Sequence, residues 1–408
     1  MLRFSQIASA EVVVLMTSPT SFGPTVIGPD IVRRLYQGRR CIFFIASWRH
    51  EYNTKVSLLW EDVDVVFIPR FLVTLPYQHR IIAIPFLRWH DRMAEWLTQK
   101  LGSWLSGGRA EFLTLLDLYR KTQSLDEASS SLSEKNSEEV CSVDVTTQCQ
   151  LLQMRVSAPP VRLPEAIREN ITSALQRLWE RAGHEGGAKL CCMYLRFEKR
   201  ESYTTRLRNS SSLKNHLPAI RLLNEAGYQV LLTGDFEMDV ATRRSFDGTL
   251  VDAESLGADN DIYQLFAASE ASIFIGNNGG GGVIPVINEI PSLYLDWFPY
   301  SNGWKRSWVY FKSAHDKNGK VLSGRRLITD FVYDSAASFG TLLNNTQEEI
   351  TDAVACFIED VNKPGAPDPC ADVAALIPRD SQFHLTGARL SPAWARRNIL
   401  VEDLEKSA

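Results

Sequence analysis

The chain has 408 residues, of which 45% are hydrophobic and 23% charged, with a formal net charge of −4 at pH 7. Such a length exceeds one ordinary core and leads us to expect two domains of a packed globular protein. The slight negative charge excludes nucleic-acid binding by bulk electrostatics, and no apolar run reaches the roughly 20 residues of a membrane helix.

In chain order, residues 11–16 (EVVVLM) read as a first strand rather than a signal peptide, since a cleavage site is lacking. A loop over Ser21–Asp30 and a helix from about Pro29 to Gly38 lead to a second strand, CIFFIAS. A helix around 53–61 precedes a third strand, VDVVFIP, and further Trp- and Leu-rich helices are expected over 91–121. Continuous apolar strands of this kind are expected of a parallel sheet covered on both faces. The composition then turns to Ser and Glu over 122–148, the mark of an insert or linker. A second strand–helix series follows: helix 164–182, strand 189–196, helix 213–226, strand 229–233, helix 261–269, strand 272–276, helix 281–288 and strand 292–295.

The fold class expected is therefore α/β, with two Rossmann-like domains facing across a cleft. The expected division is an N-terminal, acceptor-side domain over 1–121 and a polar linker over 122–160. A ligand-binding domain over 161–365 and a tail over 366–408 that packs back across the domains complete it. Seven cysteines form no CxxC pair, and the adjacent Cys191 and Cys192 read as small buried hydrophobes. This cysteine usage suits the cytoplasm, and the Asn-x-Ser/Thr triplets at Asn170, Asn209 and Asn344 then carry no weight.

Two segments could carry chemistry. In Ile273–Gly282 an apolar strand runs into five glycines within seven residues, Gly276, Gly279, Gly280, Gly281 and Gly282, around Asn277 and Asn278. Glycine lets backbone N–H groups approach a ligand closely, and a phosphate suits such a turn at the carboxyl end of a parallel strand. The alternative is a sharp turn without a ligand. The run matches neither a Walker A motif nor a dinucleotide fingerprint. In the second segment, Arg196 to Arg208, five basic residues lie within thirteen positions after the strand at 189–196. Arg196 and Arg208 are the candidates to clamp phosphate oxygens, whereas Lys199 and Arg200 read as solvated charges.

Beyond these segments the sequence resembles a bacterial family of glycosyltransferases. The resemblance runs through Arg208-Asn209-Ser210, Leu217-Pro218-Ala219-Ile220, Leu223, Gly227-Tyr228 and Gly234. It continues through Asp261-Ile262-Tyr263, Phe274-Ile275-Gly276, Pro285, Pro291, Lys312 and Leu322. It is good over about 190–325 and weak over 1–150. That family is similar to the fucosyltransferase and heptosyltransferase superfamilies, so the resemblance implies a GT-B-like fold. It also implies that Arg196, Arg208, Asn209 and Ser210 hold the diphosphate of a nucleotide-sugar donor. The 276–282 turn would seat phosphate or ribose and Asp261 would brace the site; apart from the resemblance, Lys312 is a candidate for phosphate contact. The family carries His two residues before the first Arg and Asp just after it, where this chain has Tyr194 and Phe197. Its Ser-rich turn is replaced by Asn277, Asn278 and Gly279.

The expected activity is metal-independent transfer of a hexosyl or deoxyhexosyl group to a glycan, lipid-linked glycan or other hydroxyl acceptor, without a cofactor. The protein would be cytoplasmic, at most peripheral at the inner membrane surface. Asp62-Val63-Asp64 has the form of a metal-binding DxD, yet it opens an apolar strand and reads as a strand cap. Arg196 is the candidate for leaving-group stabilisation. Asp30 and Glu51, with His50 beside the latter, are the candidates for the acceptor's base. A sugar-nucleotide epimerase and a non-catalytic sugar-nucleotide-binding protein are the alternatives.

Overall fold

The computed structural model describes residues 9–16, 22–47, 54–69, 96, 100, 110–124, 149–197, 209–277, 279–363 and 365–400. The chain divides into two compact units, Met1–Leu163 and Pro164–Ala408. Both are α/β, and the main sheet of each is parallel throughout. No helix among the described residues is long and apolar enough to cross a membrane.

In the first unit, strands β1 (Val12–Met16), β2 (Cys41–Ser47), β3 (Val63–Pro69) and β4 (Glu111–Thr114) form a sheet of order β3-β2-β1-β4. Strand β4 corrects the expectation that helices fill 91–121. Its short EFLT sequence pairs with β1 from Val12↔Glu111 to Leu15↔Thr114 before the chain turns into helix α2, Leu115–Ser124.

The expected loop over Ser21–Asp30 is also corrected. Residues Phe22–Leu35 form one helix, α1, which runs through Pro29. An internal proline costs a helix about 3 kcal/mol. Here Val26, Ile27, Ile31 and Val32 are all buried, which offsets that cost. Gly28 lets the helix lie close on the sheet, because a Cβ there would stand 2.4 Å from the Phe43 ring.

Residues 149–155, inside the expected linker, are helical, and Cys149, Gln150, Leu152 and Gln153 are buried. Arg33 Nη1 donates to the Pro159 carbonyl at 2.8 Å and Arg34 Nη1 to that of Val156 at 2.5 Å. This stretch therefore packs as part of the first unit.

The second unit holds a seven-stranded sheet of order β13-β10-β9-β8-β5-β6-β7. Its strands are β5 (Lys189–Leu195), β6 (Tyr228–Gly234), β7 (Leu250–Val251), β8 (Ile273–Gly276), β9 (Ser292–Trp297), β10 (Ser307–Phe311) and β13 (Arg389–Leu390). A separate antiparallel pair joins β11 (Ser313–His315) to β12 (Thr341–Leu343). The expected strands and long helices appear here within a few residues. Helix α3 (Glu165–Arg181) buries Ile171, Leu175 and Trp179 at helical spacing. Helix α4 (Leu213–Glu225) buries His216, Ala219, Ile220 and Leu223.

The expected tail is part of this unit, for β13 pairs with β10 from Trp308↔Arg389 to Val309↔Leu390. The aromatic run after β9 is core: Trp297, Tyr300, Tyr310 and Phe311 are buried. Tyr294, Trp297 and Trp304 pack with ring centroids 4.8–5.3 Å apart. Cys191 and Cys192 are buried as expected, and burial pushes the Cys192 thiol up to about 12.

Candidate functional site

Counted from its own first strand, the second unit has the doubly wound order 3-2-1-4-5-6, extended by β13. Its chain leaves β5 towards β6 and β7, then returns to lay β8 on the opposite side of β5. Ligands of such sheets bind outside the carboxyl ends of the strands where the order reverses. That point lies between β5 and β8. Arg196 follows the last residue of β5, and the glycine turn follows the last residue of β8.

Arg196 is half-buried. Its backbone N–H donates to Ser210 Oγ at 3.0 Å, and its carbonyl accepts the Ser210 N–H at 2.9 Å and the Ser210 hydroxyl at 3.2 Å. The two ends of the basic segment are thereby tied together. Ser210, expected on the donor, uses its hydroxyl in this closure. Arg208 and Asn278 lie outside the described residues, as do Glu51 and His50 of the first unit.

Beside this closure lies a polar knot that the sequence reading missed. Asp296, in β9, is 1% exposed and holds φ 51, a left-handed conformation that Asp tolerates better than most residues. Its Oδ2 accepts the Ser211 N–H at 2.8 Å and its Oδ1 the Asn345 N–H at 2.5 Å. Its own N–H donates to Asn345 Oδ1 at 2.6 Å. Asn345 Nδ2 continues to the Phe311 carbonyl at 3.2 Å, and Ser211 Oγ donates to the Asn345 carbonyl at 2.5 Å. The knot binds the ends of β9 and β10 to the start of α4 and to the segment that opens the helix Gln347–Val361.

Lys312, one residue past β10, is 1% exposed. Its ammonium donates to the Asn209 carbonyl at 3.3 Å and to Asn344 Oδ1. Burial pulls its pKa below the usual lysine range, while Asp296 pulls the other way. An ammonium engaged in this manner fixes the Asn209–Ser211 turn. The signal for Asp296 was present in the sequence as an acid inside the apolar run Leu293–Phe298. Asn345 lies in an Asn-Asn-Thr stretch just ahead of a capped helix, a pattern that the dismissed glycosylation triplet obscured.

The glycine turn differs from the expectation in its surroundings. Gly280–Gly282 form a 3-10 turn, and the following helix, Val283–Ile287, is only five residues long, so little helix dipole stands behind the turn. The glycines make room for Tyr194. A Cβ on Gly281 would stand 2.4 Å from Tyr194 Cδ2, and one on Gly279 would stand 3.1 Å from Cε1 and 3.3 Å from the hydroxyl. A Cβ on Gly276 would meet both Phe274, at 2.6 Å, and Tyr194, at 3.2 Å. Across the ring, a Cβ on Gly234 would stand 2.9 Å from Tyr194 Cε2. Asn277 is buried at the head of the turn, and the Tyr294 hydroxyl reaches the Gly282 carbonyl at 3.4 Å.

Asp261 sits in the first turn of helix Asn260–Glu270, next to the N-cap Asp259, which accepts the Ile262 N–H at 3.1 Å. Its charge complements that helix end.

Asp30 does not stand where a base was expected. It lies inside α1, 0% exposed, with Oδ1 accepting from Arg33 Nε at 2.8 Å and Oδ2 from Arg34 Nε at 2.9 Å. Cys149 Sγ and Gln153 Nε2 close on Oδ2 from the other side, at 3.4 and 3.3 Å. A carboxylate enclosed by two guanidinium groups has no access to an acceptor hydroxyl, so Asp30 is a structural anion. Asp64 of the DxD stretch faces Arg40 at 4.0 Å. Among the described residues no group of three or more His, Cys, Asp or Glu is placed to hold a metal ion.

No protein-family model matches the chain, and no curated protein matches its sequence. Solved structures similar to it include a glycosyl transferase family 9 protein from Veillonella parvula, at 10% identity, covering 75% of this chain and 87% of that one, with a TM-score of 0.40. E. coli ADP-heptose LPS heptosyltransferase II is similar at 10% identity, over 86% of this chain and 98% of that one, with a TM-score of 0.42. E. coli heptosyltransferase WaaC with ADP-2-deoxy-2-fluoro heptose is similar at 12% identity, over 74% and 92%, with a TM-score of 0.36. Likeness at these scores assigns no activity to this chain.

Proposed function

We propose that the protein is a glycosyltransferase that takes a sugar from a nucleoside-diphosphate carrier bound at the carboxyl edge of the second unit, without a metal ion. The observation that supports this reading best is the pairing of Arg196 with the glycine turn on either side of the β5/β8 reversal. Ligands of doubly wound sheets occupy that place, and an arginine at a strand end suits phosphate oxygens.

In glycosyl transfer the sugar carbon passes through an oxocarbenium-like state, and charge grows on the departing diphosphate. Arg196 and Arg208 would take up that charge, with the backbone of Gly276, Asn277, Asn278, Gly279 and Gly280 adding N–H donors. Asn209, Ser210 and Lys312 would hold the turn from which Arg208 springs, and Asp261 would brace the neighbouring helix end. With Asp30 enclosed, Glu51 and His50 are the remaining candidates to receive the acceptor's proton. The acceptor would be a hydroxyl of a glycan or lipid-linked glycan.

The test is release of nucleoside diphosphate from a panel of sugar nucleotides, measured with glycan acceptors and with EDTA present. Turnover that survives EDTA and falls at least 100-fold in Arg196→Ala is the expected result, since one lost charge-assisted contact alone costs about 1.5–3 kcal/mol and its weight increases as the leaving group gains charge. Unchanged kinetics in that variant would remove the arginine from the mechanism. Interconversion of the donor's sugar without an acceptor would mark an epimerase instead.

A further inference from the structure

At the carboxyl edge of the second unit stand two exposed side chains without a structural task. Phe197 follows Arg196 at the end of β5 and is 52% exposed, the only exposed phenylalanine among the described residues. The glycosyltransferases that the sequence resembles carry Asp at that position, so the ring is a departure of this chain. Single exposed apolar residues are common; what sets Phe197 apart is its neighbour. Asp235 follows β6, the strand paired with β5, and is exposed as well. Its backbone N–H donates to the Leu195 carbonyl at 2.9 Å, one step past the register pair Leu195↔Gly234. The two chains thus leave the sheet side by side. Gly234 is required at this bend, since it holds φ 90 and a Cβ there would stand 2.0 Å from the Leu195 carbonyl oxygen. The Asp235 carboxylate takes part in no hydrogen bond or ion pair among the described residues. Asp252, Asp259 and Asp296 differ in this respect, for the first two cap helices and the third ties the knot.

From this we infer that Phe197 and Asp235 bind the nucleoside of the sugar nucleotide: the base lies on the Phe197 ring, and the Asp235 carboxylate accepts the 2′- and 3′-hydroxyls of a ribose. The inference rests on the proposed nucleotide-sugar reading and deepens it, for it names a ribonucleotide as the carrier. Ligands of doubly wound sheets bind outside the carboxyl ends of the strands, and an acidic residue there holds ribose hydroxyls in the dinucleotide-binding examples. In this chain the glycines follow β8 and the acid follows β6, one on either side of β5. Adjacent strands lie about 4.8 Å apart, so the step from β8 to β6 is about 10 Å, a span that a nucleoside diphosphate covers from phosphate to ribose. A phenyl face accepts any base, whereas a carboxylate reads the hydroxyls. Affinity and sugar discrimination therefore fall to different residues.

The experiment is isothermal titration of the full chain with ADP, GDP, UDP, CDP and dTDP, followed by the 2′-deoxy form of the ribonucleotide that binds. Loss of one hydrogen bond to a charged group weakens binding about 10- to 100-fold, so wild type should prefer the ribonucleotide by that factor. Asp235→Ala should lower the ribonucleotide's affinity at least to that of its 2′-deoxy form in wild type, and erase the preference. Phe197→Ala should weaken both forms alike, by about 5- to 100-fold, and keep the preference. Both side chains are exposed, so Tm should stay at the wild-type value in each variant, which separates a lost contact from a damaged fold. A wild type without preference for ribose, a preference that survives Asp235→Ala, or a Phe197→Ala variant that binds as tightly as wild type overturns the inference while the nucleotide reading stands. Binding of dTDP alone does the same. If wild type binds none of the five, both fall.

Discussion

Replacing Asp296 by Asn tests the knot that shapes the site. Asn adopts the left-handed conformation as readily as Asp, so the φ of 51 is carried over and the substitution isolates the carboxylate. One of two buried acceptors, for the Ser211 N–H at 2.8 Å or the Asn345 N–H at 2.5 Å, becomes an amide NH2 facing a donor. A hydrogen bond to a charged group contributes about 1.5–3 kcal/mol and a neutral one about 1, so losing one and weakening the other costs about 3 kcal/mol. For a unit the size of Pro164–Ala408, each kcal/mol moves Tm by about 2–4 °C, which gives a fall of about 6–12 °C. Far-UV circular dichroism of the full chain reads this directly. The double variant with Asn345→Ala, which removes the Asn345 side-chain bonds to the Asp296 N–H and the Phe311 carbonyl, should lose less than the sum of the two single losses, because the two residues belong to one hydrogen-bonded network. A Tm unchanged by Asp296→Asn, or strict additivity in the cycle, would refute the knot.

Two further perturbations follow from buried charges. Asp30→Asn leaves Arg33 and Arg34, each with a side chain 3% exposed, without their anion, and should destabilise the first unit by about 3–5 kcal/mol, read as a lower urea midpoint. A midpoint equal to wild type would show that the carboxylate is dispensable there. Lys312 loses its proton at lower pH in the folded chain than in the unfolded one, where 10.5 applies. Between those two values the unfolded chain binds more protons, so stability rises with pH. The stability of wild type relative to Lys312→Met should therefore increase as pH is raised from neutral towards 10.5, in urea melts at each pH; a decrease would contradict the buried-ammonium assignment.

The second unit was the more legible in sequence, because most of its strands are largely apolar runs, and its long helices carry apolar residues at helical spacing. Helix α1 was not, since Pro24, Gly28 and Pro29 all signal a break, and only burial on the sheet overrides them. Strand β4 is four residues long and abuts a helix, too short for its period to show. In the site, Arg196 and the glycine turn were visible as residues at strand ends. What the glycines accommodate was not, because Tyr194 and Gly281 meet only once β5 and β8 lie side by side. The partners of Asp296 were hidden for the same reason: Ser211 and Asn345 are distant from it in sequence and adjacent only in the fold.

The central claim, a nucleoside diphosphate held without metal at the β5/β8 reversal, is tested most directly by thermal melts with nucleoside diphosphates and sugar nucleotides, with and without EDTA. A ligand at 100 times its Kd stabilises the native state by about 2.7 kcal/mol, which for a unit of this size raises Tm by about 5–11 °C. The account predicts a rise of that order with one base, indifferent to EDTA and reduced to about half or less in Arg196→Ala. No rise with any of these ligands, or one abolished by EDTA, would contradict it.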